Sequence, residues 1–409
     1  MRSHRLMLVA AVRGCVAAAV LTASPGVWIP TMLPSGSRIQ LRLTSNVSSA
    51  NARVGDAVGA VVTVDVPLAG GVLPRGTVVR GAVRQVAPFS WAAPQALLWI
   101  EFQELLAPGG RTIPIATRLV AVDNARETID ATGKILGIAP PREAPTSAED
   151  SVSLAAVAPE LYDLERVAFR IRELERPEIS YPAGTDITVE TVTATPDVPV
   201  GDARVEPSPD KSLIALAVAQ PTRTAAGRPP RPADVVNFAF TGSDEDLSGA
   251  FEAAGWTSAV ALSLRADART VLAVAEDRGY TLGPVSLETI GGRPPDRVFQ
   301  KQTNTFDRRH HVRIWRLAEA HQGVPVWIAS ATHDIGVKFV RQERTFTHRV
   351  ETDIDIERQK IVDDLRFAGA IARYTLAERR DVPPRVMNAT EDPMTTDGKI
   401  AVIVLRGVK

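Results

Sequence analysis

HHVRIWRL (310–317) and VPVWIASATH (324–333) flank a short loop, and their reading decides the fold of the second half of the chain. Both runs are rich in β-branched and aromatic residues, so they read as two strands of a hairpin. On a strand, His311, Arg313 and Trp315 point one way, and His310, Val312 and Ile314 point the other. The second set ends apolar and is the expected core face. The first places an imidazole, a guanidinium and an indole on one face, which is costly to bury without partners. The hairpin would set Thr332, His333 and Asp334 beside them, so Asp334 is positioned to pair with Arg313 or to orient His311.

Working outward, VVNFAFTG (235–242) reads as a buried strand. SDEDLSGAFEAAGW (243–256) reads as a helix with Ser243 as N-cap and Asp246 in the acidic slot of a capping box. DARTVLAVAEDRG (267–279) predicts a second helix closed by Gly279. Downstream, FTHRVETDIDIER (346–358) carries His348 into the helix DIDIERQKIVDDLRFAG (353–369), and KIAVIVLR (399–406) reads as a last strand. The acidic residues opening that helix also suit its dipole. The order β-α-(α)-β-β-α-β predicts a two-layer α/β domain over 233–409, a ferredoxin-like plait with an inserted helix.

The first half reads differently. SRIQLRLT (37–44) alternates, with Ile39, Leu41 and Leu43 on one face and Arg38, Gln40 and Arg42 on the other. GAVVTVDV (59–66), TVVRGAVRQV (77–86) and ALLWIEFQEL (96–105) follow, separated by Pro/Gly turns. Many short strands of this kind predict a β-barrel or sandwich over 27–200, so the fold class is α+β. One helix is expected inside that domain, at 158–174, where Leu161, Leu164, Val167, Ala168, Ile171 and Leu174 form an apolar stripe. The Pro-rich, charged stretch before it (140–151) is expected to be mobile.

PSGSRIQLRL (34–43), PRGTVVRGAV (74–83) and PAGTDITVET (182–191) share Pro-x-Gly-Ser/Thr ahead of an alternating strand. Proline fixes φ, glycine supplies the positive φ of a type II turn, and the hydroxyl residue starts the strand. With VGDAV (54–58) after the first copy, this part resembles the β-clip-like domains of conjugation and type IV secretion proteins of the TrbI/VirB10 kind. Between the halves, 201–232 contains EPSPDK and PTRTAAGRPPRPAD, lacks periodicity, and reads as a Pro/Arg-rich linker.

The totals bound the rest. A chain of 409 residues is too long for one ordinary core and suits two domains. Its formal net charge is zero, so no global field draws it to nucleic acid or an acidic membrane. Aromatic residues make up 5% and do not alternate with basic ones, which argues against nucleic-acid binding. No Walker sequence and no GxSxG elbow occurs. At the N-terminus, Arg2, Arg5 and Arg13 precede the short apolar run CVAAAVLTA (15–23), the pattern of a secretory signal peptide over 1–26. That run is well short of the roughly 20 residues a spanning helix needs, so no transmembrane segment is expected in the mature chain. Cys15 is the only cysteine, and without it the mature chain has no disulfide, thiolate nucleophile or thiolate metal ligand. The expected location is periplasmic or secreted, in a bacterial cell envelope.

Five of the six histidines fall between 310 and 348, so chemistry is sought there. RRHHVRIW, VPVWIASATHD and THRVETDIDIER, in that order, resemble the LssY C-terminal domain family over roughly 233–409. That family is often joined to membrane modules of the DedA or PAP2-phosphatase kind and is named for a link to a type I secretion locus. Here a β-rich domain stands in their place. The resemblance carries over Arg309, His311, Arg313 and Trp315, then Trp327 and Asp334, then His348, Asp355, Glu357 and Arg358.

These residues allow three readings. The leading one is a scaffold or binding module in which a buried His–Arg–Asp–Trp network defines the domain, with the β-rich domain binding an envelope protein partner. The alternative is a hydrolase on a phosphate-containing envelope substrate. There Arg309, Arg313 and Arg358 would clamp the anion, His311 act as base or nucleophile, Asp334 orient it, and His348 serve as acid. The second alternative is a metal site built on His311, His333, His348 and a carboxylate, disfavoured by the adjacent arginines. No cofactor is expected. Trp327 is expected in the core, and Trp315 to stack on an arginine or cover the site.

Overall fold

The computed structural model describes residues 31–90, 92–138, 178–259, 288–301, 308–340 and 345–407, with the backbone alone at 31, 337–340 and 345–348. The expected signal peptide, the stretch 140–151 and the helices at 158–174 and 267–279 fall outside these residues. Among the described residues no helix is long and apolar enough to cross a membrane.

The first half is built on one nine-stranded sheet. Its strands are β1 (Arg38–Leu43), β2 (Ala57–Val62), β3 (Val78–Ala87), β4 (Leu97–Leu106), β5 (Thr112–Pro114), β6 (Thr117–Val122), β7 (Thr128–Ile129), β8 (Lys134–Leu136) and β9 (Asp186–Thr191). The order is β6-β9-β1-β2-β3-β4-β8-β7, with β5 paired to β4. β6 also lies against β4 and β7, so the sheet rolls around a single core. Ile39, Leu41 and Leu43 point into that core with Val58, Val79, Leu98, Phe102, Leu119 and Val189, as period-two alternation requires.

The repeated turns are real devices. Gly36, Gly76 and Gly184 take φ of 80°, 87° and 96°, a region in which a side chain is strained. In each copy the following hydroxyl bonds back to the proline carbonyl: Ser37 to Pro34 at 2.8 Å, Thr77 to Pro74 at 2.6 Å and Thr185 to Pro182 at 2.8 Å. The hydroxyl therefore closes the turn as well as opening the strand.

The stretch read as a linker is ordered structure. It holds α1 (Lys211–Val218), capped by Asp210, and most of the hairpin β10 (Arg223–Ala226) and β11 (Arg231–Val235). Proline and arginine density hid a short helix and an edge hairpin, both compatible with such a composition. Next come β12 (Phe238–Thr241), α2 (Asp244–Ala253), β13 (Trp256–Ser258), β14 (Arg297–Lys301), β15 (Arg308–His321), β16 (Val324–Val340), β17 (Thr345–Val350), α3 (Ile354–Phe367), β18 (Ile371–Glu378) and β19 (Lys399–Leu405). The capping box of Ser243 and Asp246 is present at α2, and Asp353 caps α3.

These strands form an eight-stranded sheet ordered β13-β14-β15-β16-β12-β19-β18, with β17 paired to β16. β19, the strand expected to close the plait, does lie beside β12, giving the order β19-β12-β16-β15, but it runs parallel to β12, and β18, which sequence reading did not single out, extends the sheet beyond it, antiparallel to β19. α2 and α3 pack on the face carrying Phe240, Val312, Ile314, Trp327 and Ile403. α1 packs on the opposite face, against Ala239, Trp315, Ile328 and Val402. The former linker thus adds a cover to the layers the sequence predicts.

Candidate functional site

The β15–β16 register sets Arg309 opposite Asp334, His311 opposite Thr332 and Arg313 opposite Ser330. All of these side chains leave the sheet on the α1 face and are buried; His311, Arg313 and Asp334 are 3%, 2% and 3% exposed. Arg309 Nη2 lies 3.4 Å from Asp334 Oδ2, and His311 Nδ1 lies 3.7 Å from the same oxygen. His311 Nε2 meets the Thr332 hydroxyl at 2.9 Å. Asp334 therefore lies beside His311, as expected, but its arginine is Arg309. Arg313 turns instead to Glu288 at 3.3 Å and Asp234 at 3.4 Å, carboxylates that sequence reading did not single out. Thr224 of β10 bonds to Glu288, so the hairpin ties this cluster to the sheet.

Burial raises the Asp334 carboxyl to about 6, against the pull of Arg309 and Arg313. Burial also raises Asp234 well above the carboxylate range, reinforced by Glu288 and opposed by Arg313. Two neighbouring buried carboxyls resist ionising together, and this outweighs the opposing pull of Arg313 and Arg223 on Asp234.

The other expected members lie elsewhere. Arg358 is on α3, bonded to Asp355, Asp397 and the Lys399 carbonyl, and does not join Arg309 and Arg313 in a clamp. Asp355 accepts from Thr396 and the Asp397 amide, so this pair fixes the turn before β19. His348 lies on β17 opposite Val337 in register. Trp315 donates to the Arg293 carbonyl, while the arginine stack falls on Trp327, with Arg316 5.6 Å from its ring centre. Trp327 is in the core and donates to the Gly242 carbonyl. The metal reading needed His311 and His333 together, yet alternation sends them to opposite faces of the sheet. Among the described residues no group of three or more His, Cys, Asp or Glu is arranged to hold a metal ion.

On the opposite face lies a second polar cluster, which links the two halves of the chain. His310 Nδ1 is 2.6 Å from Glu357 of α3, and Nε2 is 2.9 Å from Asp123 in the loop after β6. His333 stacks on His310 at 3.9 Å between ring centres and meets Asn124 Oδ1 at 3.0 Å. Lys360 bonds to Asp186 at 3.0 Å and pairs with Asp123 at 3.2 Å. Arg42 bridges Asp186 at 2.6 Å and Asp364 at 2.7 Å, and Lys301 reaches Asp364 at 2.8 Å. Burial opposes the charge on His310, but the Asp123 and Glu357 carboxylates outweigh it and raise the imidazole to about 9. Burial and the His310 charge push His333 down to about 2.

Sequence reasoning placed His310 on the expected core face and missed its partners. One signal was available. Glu357, Lys360 and Asp364 follow helical spacing beside the apolar stripe of Ile361, Val362 and Leu365, marking a charged face of α3 that would need a charged partner.

The fold and its clusters define an α+β chain: a rolled nine-stranded sheet joined through largely buried ion pairs to a mixed eight-stranded sheet with a sealed His–Arg–Asp face. Residues 217–400 match the family model of the LssY C-terminus, starting within α1. A search of the curated proteins returns no match. Among solved structures, ComB10 of the Com type IV secretion system of Helicobacter pylori is similar at 14% identity, covering 40% of this chain and 89% of that one, with a TM-score of 0.23.

Proposed function

We propose that the chain is a bacterial envelope protein whose two domains act as one rigid scaffold for binding a partner. The observation that carries this reading is the fate of the polar residues of β15 and β16. One set, on the α1 face, is sealed in mutual contacts. The other is used up joining the β-rich domain to the LssY C-terminal region. Buried, mutually bonded networks of this kind define a shape. The N-terminal signal pattern and the cysteine-free remainder of the sequence support the envelope location. Asp334, raised to about 6 beside the His311 ring, favours a hydrolase as the second reading, because a carboxyl that titrates near neutrality next to an imidazole suits proton transfer.

The test is thermal unfolding of the full chain with phosphate, phosphate mono- and diesters, and zinc. A ligand that binds only the native state raises stability by mass action. The scaffold reading expects no shift with any of them. A shift with phosphate esters that Arg313→Ala abolishes would overturn it in favour of the hydrolase.

A further inference from the structure

We propose that His310, held as an imidazolium between Asp123 and Glu357, is a proton-dependent latch that closes the β-rich domain onto the second domain. Both ring nitrogens of His310 face carboxylate oxygens, at 2.6 and 2.9 Å. A neutral imidazole has one N–H and one lone pair, so one nitrogen would face a carboxylate lone pair to lone pair. Only the imidazolium donates to both. One of those carboxylates belongs to each domain, so the proton is shared across the boundary.

The surrounding charges agree. Among the described residues the cluster contains the carboxylates Asp123, Asp186, Glu357 and Asp364 and the cations Arg42, Lys301 and Lys360. Protonated His310 puts a donor against each of two of these carboxylates; without its proton one of them loses that donor, which is costly in a low-dielectric site. The groups around His310 and its stacked neighbour are Asp123 from the first domain, Glu357 and Lys360 from α3, His333 from β16 and Arg308 from β15, which adds positive charge beside His333, with the Trp256 ring centre 6.4 Å from that of His310. Lys360 and any charge on His333 oppose the imidazolium. His333 stays neutral, which removes that second cation. The latch goes beyond the scaffold reading, and its readout does not depend on any partner.

The test uses the full chain labelled with 15N at histidine. At about pH 7.5 one imidazole is expected with both nitrogens protonated, absent from the His310→Gln variant and losing its proton far above the ordinary histidine range. Small-angle scattering is expected to show the radius of gyration rising through that same midpoint as the domains part. A neutral His310 at about pH 7.5, or an opening whose midpoint is not that of His310, overturns the latch. If His310→Gln fails to fold, Asp123→Asn serves instead. It should lower the His310 midpoint and the opening midpoint together by about one pH unit or more. Midpoints that do not move overturn the proposal.

Discussion

His310 and His333 lie ring on ring, yet their environments drive them apart. The sign of each shift gives a pH dependence of stability. His310, raised to about 9, contributes stability that is complete below the ordinary histidine value of 6.5 and is lost as pH climbs towards 9. His333, lowered to about 2, contributes stability that is present above 6.5 and is lost as pH falls, because only the unfolded chain takes up its proton. Together they predict a maximum of unfolding free energy close to pH 6.5, falling on both sides, measurable by urea denaturation across pH. His333→Asn is expected to flatten the acid side alone. On the opposite face, His311→Ala leaves the Thr332 hydroxyl and the Asp334 carboxyl without their imidazole. A cost of about 1–3 kcal/mol is expected.

At the scale of elements, the Pro-x-Gly-Ser/Thr turns each set the entry of one sheet strand. A Cβ on Gly76 would meet nothing within 4 Å, so only its φ of 87° resists substitution. Gly76→Ala is therefore expected to cost about 1–2 kcal/mol, and Gly76→Asn less, because Asn tolerates the left-handed region. α2 depends on a reciprocal cap, with Ser243 and Asp246 each accepting the other's backbone N–H at 3.0 Å. Ser243→Ala is expected to cost about 1 kcal/mol by denaturant unfolding. These features were legible in the sequence because each lies within four residues of chain. α1 and the β10–β11 hairpin were not, since neither carries a long apolar period and both are held by packing on the β12–β16–β19 sheet.

At the scale of the molecule, the ion pairs between halves predict one cooperative unfolding transition for the whole chain. Asp186 answers Arg42, Lys301 and Lys360 at once. Removing it leaves the buried Arg42 and Lys301 and the partly buried Lys360 with too few carboxylates. Asp186→Ala is expected to cost about 3–5 kcal/mol and to split the calorimetric transition in two, one for each domain. A single unsplit transition in that variant would mean that the domains are coupled by other contacts. Arg42 illustrates why this interface escaped sequence reading. Alternation puts it on the outward face of β1, where an arginine is unremarkable, and only the docking of α3 buries it to 9% exposure.

The sequence by itself determined the class of each half, the long hairpin at its centre, the caps, the turns and the facing of His311 towards Asp334. Each of these follows from backbone periodicity or from hydrogen bonds between chain neighbours. Only the tertiary structure decided that Arg313 answers to Asp234 and Glu288, that Arg358 stands apart, and that His310 joins the two domains. The partners of His310 lie 47 and 187 residues away along the chain. Charges so distant leave no local period; their pairing is fixed when two separately formed surfaces meet and exclude water.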